Sequence, residues 1–225
     1  MPLDRSSLVG QHPHADRGLD LYEIDRLAIG ALLQVEKLPH GIWEPVAGRG
    51  AIARILRDHG HAVIASDIED RGGLHFVADF LSTTTMPVGT ECIVSNPPFK
   101  IIEGFIAHAL ELRPRVVMLA QLSFFEAGTS RARRHQLCRR ILDVTSPARV
   151  YAFRDRLPRI HRDRWQGRKT KANPIAFAWY VWDRNYTGPT IISRISTRDG
   201  RMPSSTPVTP SPEKDLSCLS PRCVT

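Results

Sequence analysis

Hydrophobic positions along the chain follow two rhythms, one of helices and one of short strands. Residues 19–35 carry Leu21, Ile24, Leu27, Ala28, Ala31 and Leu32, which is helical spacing. The same rhythm returns in 51–59 with Ile52, Ile55 and Leu56, where Gly60 supplies the stop, in 101–112, and in 131–142. Between these lie short runs of nearly unbroken apolar residues at 41–47, 61–68, 75–78, 92–95, 116–122, 150–153 and 176–182. Strands of that kind are buried on both faces and are covered by the helices that join them. The expected fold class is therefore α/β, a doubly wound and mostly parallel sheet. Only a basic loop separates the final two strands, so they are expected to pair antiparallel, giving a last antiparallel strand.

The pattern also sets the boundaries. Residues 1–18 show no periodicity and read as a flexible N-terminus. From 189 to 225, eighteen of 37 residues are Ser, Thr or Pro. Such a stretch buries too little to offset its ordering entropy, so 188–225 is expected to be a largely disordered tail. One domain, 19–187, remains, and no internal repeat is found in it.

Composition narrows the function. With 225 residues, 42% hydrophobic and 24% charged, the chain has an ordinary globular composition. No apolar run approaches the ~20 residues of a membrane-spanning helix, and no secretory leader is read at the N-terminus. The four cysteines form no CxxC and have no histidine at ligand spacing, so no metal site is expected, and a reduced, cytoplasmic setting follows. The net charge of +8 is unevenly spread. Residues 131–171 hold fourteen Lys or Arg against three acids, an excess larger than that of the whole chain. Within it, Arg154, Arg156, Arg159, Arg162, Arg164, Arg168, Lys169 and Lys171 stand beside Trp165. Cations for phosphates next to an aromatic ring for base stacking are the footprint of a nucleic-acid surface, with a solvated basic face as the bland alternative.

Four elements at strand ends carry candidate chemistry. Glu44-Pro45-Val46-Ala47-Gly48-Arg49-Gly50 is a strand running through a Gly-rich turn into a helix, where backbone N–H groups can approach a ligand. Asp67, followed by Ile68, ends the next strand and is placed to accept the hydroxyls of a ribose, or to cap a helix. Asp79-Phe80 follows a third apolar stretch and is suited to an adenine, by its amine and its face. A GxGxxG spacing is missing, which argues against a dinucleotide. Finally, Asn96-Pro97-Pro98-Phe99 follows the strand 92–95. Two prolines remove N–H donors and leave carbonyl acceptors, Asn96 adds a side-chain acceptor, and Phe99 adds a flat apolar face. Converging acceptors beside an aromatic ring suit a planar substrate bearing an NH2 group. A loop that merely ends a strand is the alternative.

The ordered series EPVAGRG, Asp67, Asp79-Phe80-Leu81 and NPPF resembles the S-adenosylmethionine-dependent amino methyltransferases that act on N6 of adenine. The order resembles their gamma class, and more narrowly that of small phage or prophage enzymes. The resemblance spans about 19–187 and implies a class I, Rossmann-like methyltransferase fold. It implies that Glu44, Pro45, Ala47, Gly48 and Gly50 lie along the methionine part of the cofactor, that Asp67 and Ile68 meet its ribose, and that Asp79 and Phe80 hold its adenine. Asn96, Pro97, Pro98 and Phe99 would form the catalytic loop. Tyr22 occupies the N-terminal segment that touches the cofactor carboxylate in relatives, although Tyr22-Glu23-Ile24-Asp25 departs from their Tyr-x-Thr-Pro pattern. DNA is the implied partner, with RNA as the alternative. A nucleic-acid-binding module without catalysis is a further alternative, and the oligomeric state stays open.

Overall fold

In the computed structural model, residues 26–113, 115–126, 133–157 and 175–198 are described. Tyr22, Arg159, Arg162, Arg164, Trp165, Arg168, Lys169 and Lys171 lie outside them, as do residues 1–18 and 199–225. The elements run α1 (Arg26–Leu33), β1 (Gly41–Glu44), α2 (Ala51–Asp58), β2 (Ala62–Asp67), β3 (Phe76–Val77), β4 (Cys92–Ser95), α3 (Ile102–Leu112), β5 (Arg115–Gln121), α4 (Arg133–Val144), β6 (Arg149–Phe153), β7 (Phe177–Asp183) and β8 (Ile191–Ile195). They form one eight-stranded sheet in the order β3-β2-β1-β4-β5-β7-β6-β8. Seven strands run the same way. Only β7 is reversed, antiparallel to β5 on one side and β6 on the other. The fold class expected from the hydrophobic pattern is the one observed, and the last two predicted strands pair antiparallel as anticipated.

Two layers of side chains bury the sheet. On one face, α1 and α2 contribute Ile29, Leu32, Ile52 and Leu56 to a core with Val117, Trp179 and Val181. On the other, Phe105, Ile106, Cys138 and Ile141 of α3 and α4 pack with Ile93, Met118, Tyr180 and Trp182. Alternation along β7 explains the division: Trp179 and Trp182 are both fully buried, one in each layer. Each indole is also satisfied, Trp179 Nε1 donating to Ala28 O at 3.0 Å and Trp182 Nε1 to Thr145 O at 2.8 Å. The free thiols of Cys92 and Cys138 belong to this packing. Burial pushes the Cys92 thiol up to about 12, so it stays neutral.

At the amino-terminal end of the parallel strands, buried Glu36 binds the guanidinium groups of both Arg115 and Arg149 and accepts the Tyr151 hydroxyl at 2.8 Å. Asp183 pairs with the same two arginines, at 3.0 and 3.5 Å. The network joins the α1–β1 connection to β5, β6 and β7. A buried charge is tolerated here because every carboxylate faces two guanidiniums.

The structure corrects two sequence expectations. The segment from 188 is not uniformly a tail, because Ile191–Ile195 is the strand β8, parallel to β6, with Ile195 only 5% exposed. Its three isoleucines are enough for an edge strand, but Ser, Thr and Pro dominate any longer window drawn around them. The reversed strand is consequently not the last one, since β8 follows β7.

Candidate active site

Strand order reverses between β1 and β4, and the connections leaving these two neighbours lead to helices in opposite layers, α2 and α3. That position, outside the carboxyl ends of the strands, is where open α/β sheets hold ligands. The register sets the heights. Glu44 is level with Ala65, and Trp43 with Ile93. Asp67 therefore stands two residues above Glu44 on one side, and Ser95 two residues above Trp43 on the other. The Gly-rich turn, Asp67 and the NPPF loop emerge at one rim.

The turn after β1 is tied down by its own backbone. Gly48 and Gly50 have φ of 55° and 73°, in the left-handed region that a side chain disfavours. Gly50 is the N-cap of α2 and has no side chain to cap it. Glu44 supplies the missing acceptor: its Oε2 takes the Ala53 N–H at 2.7 Å. Glu44 is 1% exposed, and burial raises its carboxyl well above the ordinary 4.5, opposed by the Ala53 N–H and by Arg57. A carboxyl raised in the folded state stabilises fully below its unfolded pKa, and that contribution is lost as pH rises through the folded one. Glu44→Gln keeps an acceptor for Ala53 and removes the charge. Its thermal midpoint is therefore expected to gain on the wild type as pH rises from 5 to 8, with the two converging near pH 4. A constant difference across that range would contradict the assignment.

Asp67 closes the other side of the turn. Its Oδ2 accepts the Gly48 N–H at 2.8 Å, while Oδ1 accepts the Glu69 N–H and the Arg71 guanidinium, both at 3.1 Å. Arg71 also reaches Glu69 at 2.6 Å. Arg71 escaped the sequence reading, although Asp67, Glu69 and Arg71 at spacings of two just past a strand are the available signal. Ser66 was missed as well; buried beneath the turn, its hydroxyl accepts the Trp43 indole N–H at 2.9 Å. Ile68 is half-buried beside Asp67.

Asp79 accepts the Leu81 N–H at 3.1 Å and so caps the short 3-10 turn Phe80–Ser82. The Phe80 ring is packed in the core. It is 2% exposed, stacked on Phe105 at 5.1 Å and edge-on to Trp43 at 5.3 Å. An apolar residue after an acid satisfies two patterns, ligand face and core, and the Phe80 side chain packs in the core.

The loop after β4 leads into a short 3-10 turn. Ser95 and Pro97 are buried, Asn96, Pro98 and Phe99 partly so. Pro98 caps the 3-10 turn Phe99–Ile101, and its carbonyl accepts the Ile101 N–H at 3.2 Å. Among the described residues no backbone N–H is bonded to the Pro97 carbonyl. The Ser95 hydroxyl is buried and has no hydrogen-bond partner among those residues. Phe99 leans on Phe177 at 5.4 Å, which anchors the loop to the start of β7. Of the predicted basic residues within the described part, Arg154 and Arg156 are exposed just past β6. Because β6 is parallel to β4, they stand on the same side of the sheet as Asn96. Among the described residues no group of three His, Cys, Asp or Glu is placed to hold a metal ion, and no helix is long and apolar enough to cross a membrane.

No protein-family model and no curated protein matches the chain. Solved structures do. A protein of Pyrococcus horikoshii, provisionally described as an RNA methyltransferase, aligns with a TM-score of 0.49 and 13% identity, over 80% of this chain and 96% of that one. The M protein of the type I restriction enzyme EcoKI aligns at 0.46 and 14%, over 72% and 43%. A dimethyladenosine transferase of Plasmodium falciparum aligns at 0.46 and 14%, over 72% and 62%.

Proposed function

We propose that the chain transfers a methyl group from S-adenosylmethionine to the exocyclic N6 amine of adenine in DNA. The observation that carries this reading is that the NPPF loop and the Gly-rich turn leave the two neighbouring strands at which the order reverses, with Asp67 bonded to the turn. The residues fit the cofactor. The turn at Gly48 and Gly50 leaves room for close approach, a Cβ at Gly50 meeting nothing within 4 Å. A buried hydroxyl such as that of Ser95, lacking a partner, is the kind of group a ligand completes.

When bound, the cofactor supplies an electrophilic methyl on a sulfonium. The protein's part is positioning. The adenine amine is a poor nucleophile because its lone pair is delocalised into the ring. Hydrogen bonds from its two N–H to the Asn96 side-chain oxygen and the Pro97 carbonyl favour a tetrahedral nitrogen, whose lone pair then points at the incoming methyl. Phe99 offers its face to the extruded base, which in duplex DNA must leave the stack. Asp67 is assigned to the ribose, Glu44 to Gly50 to the methionine part, and Asp79 with the Phe80 backbone to the cofactor's adenine.

Arg71 adds a condition. It occupies Asp67 Oδ1 in the free protein and must yield for a ribose to bind there. Arg71→Ala is expected to tighten cofactor binding about two- to fivefold, the worth of an ion pair of about 0.5–1 kcal/mol. Asp67→Asn is expected to weaken it. Calorimetry with S-adenosylhomocysteine reads both; weaker binding by Arg71→Ala would remove Arg71 from the ribose position.

The deciding experiment incubates the protein with methyl-labelled cofactor and DNA, RNA or protein acceptors. Label on adenine in DNA is the expected result. Label confined to RNA would move the substrate class, and cofactor binding without transfer to any acceptor would favour the non-catalytic module.

A further inference from the structure

The unexpected strand β8 changes the shape of the charged surface. It is held along its length: Ile191 N–H donates to Ala148 O at 3.0 Å, the Thr190 hydroxyl to Pro147 O at 2.7 Å, and Arg154 N–H to Ile195 O at 2.8 Å. Ile195 is buried in the core. Beyond β8, Asp155 ties the chain back by accepting the Ser196 hydroxyl and pairing with Arg198 at 3.7 Å. Residues up to Arg198 are thus mounted on the sheet.

This mounting gathers four exposed arginines. Arg154 and Arg156 follow β6, while Arg194 lies near the end of β8, opposite Ala152, and Arg198 lies just past it with its side chain 81% exposed. Among the described residues of these two segments the only acid is Asp155, already engaged by Ser196 and Arg198. Since β6 and β8 are parallel to β4, their carboxyl ends share the side of the sheet on which the NPPF loop stands. The register also puts Arg194 and the exposed Ile192 on the face of Val150 and Ala152, the face that α4 covers.

We infer that the carboxyl ends of β6 and β8 form a phosphate-binding rim for nucleic acid, in which Arg194 and Arg198 act together with Arg154 and Arg156. The inference rests on the nucleic-acid reading above. Guanidinium groups match phosphate geometry in a planar fork, and a cation carried on a paired strand loses less freedom on binding than one on a loose tail. Phosphate contacts of this kind position a substrate without reading its bases. The rim would hold the backbone while the NPPF loop takes the base.

The test uses the full chain, without cofactor, and measures affinity for duplex DNA and for RNA of equal length across a series of salt concentrations. Arg194→Ala with Arg198→Ala is expected to flatten the slope of log K against log salt by roughly two units on duplex DNA, and to weaken all sequences alike. Arg194→Ala alone, which leaves the Asp155–Arg198 pair intact, accounts for about one unit. The thermal midpoint should hold, because Ile195 keeps β8 in place. Slopes unchanged on both polymers would overturn the rim, as would a wild type with no salt-dependent affinity for either. A wild type that binds with the expected slopes yet methylates no acceptor would overturn the catalytic reading and leave the rim standing.

Discussion

Asn96→Ala is expected to lower methyl transfer by at least about two to three orders of magnitude, the cost of losing one preorganised hydrogen-bonding group at a reacting centre. Affinity for S-adenosylhomocysteine should stay within a few-fold, because Asn96 is assigned to the amine of the substrate. The two measurements, turnover with labelled cofactor and calorimetry, separate the assignment from a general collapse of the site. Asn96→Asp adds a finer discrimination. A carboxylate still accepts from an amine, so this variant should recover part of the activity. Parallel loss of cofactor affinity in Asn96→Ala would place the side chain on the wrong ligand. Equal activity of the alanine and aspartate variants would remove hydrogen-bond acceptance from its role.

The largest effect on stability is expected from a single methyl group at the start of β1. Gly41 is buried, and a Cβ built on it would lie 1.9 Å from the carbonyl oxygen of Gly89 and 3.2 Å from the Cα of Thr90. Both neighbours are backbone, in the turn that leads into β4, and Glu91 N–H donates to Gly41 O at 2.8 Å. No side chain can rotate away. Relief requires β1 and the chain before β4 to separate, at two neighbouring interior strands of the sheet. Gly41→Ala is expected to cost more than about 3 kcal/mol, at the upper end of overpacking penalties. Urea unfolding monitored by circular dichroism measures it. A loss below about 1 kcal/mol would show that the 85–91 segment yields easily. Gly50→Ala provides the contrast. Its Cβ meets no atom within 4 Å, so its cost is confined to the left-handed backbone.

What was legible in the sequence follows from how locally each feature is determined. The strand Cys92–Ser95 was read to the residue, because a short apolar run halted by two prolines has no other reading. The Gly-rich turn and the NPPF loop were legible because each ends a strand with residues of unusual backbone chemistry, glycine in one and proline in the other. Features that were not legible depend on tertiary company. The packing of Phe80 depends on whether Trp43 and Phe105 reach it, and they do. The pair Asp67–Arg71 forms only once the chain has turned after β2. The three isoleucines of β8 have value only because β6 offers them an open edge. Glu44 shows both sides: its place at a strand end was evident, but its service as the cap of α2 depends on Gly50 having no side chain.

The strand order has a consequence for how the chain is made. Because β7 sits between β5 and β6, β6 has no neighbour to pair with until residues 177–183 have been synthesised, although β6 itself spans only 149–153. During elongation at about 5–20 residues per second, β5 waits as an open, apolar edge for the seconds needed to make some sixty further residues. Residues 116–120 on that edge are fully buried in the finished protein. The nascent chain is therefore most prone to edge-to-edge association after β5 has emerged and before β7 arrives. A chain stopped between β6 and β7 should aggregate, whereas one that ends after β8 should fold. The Glu36 network, which runs through Arg115 and Arg149 to Asp183, can close only in that final step.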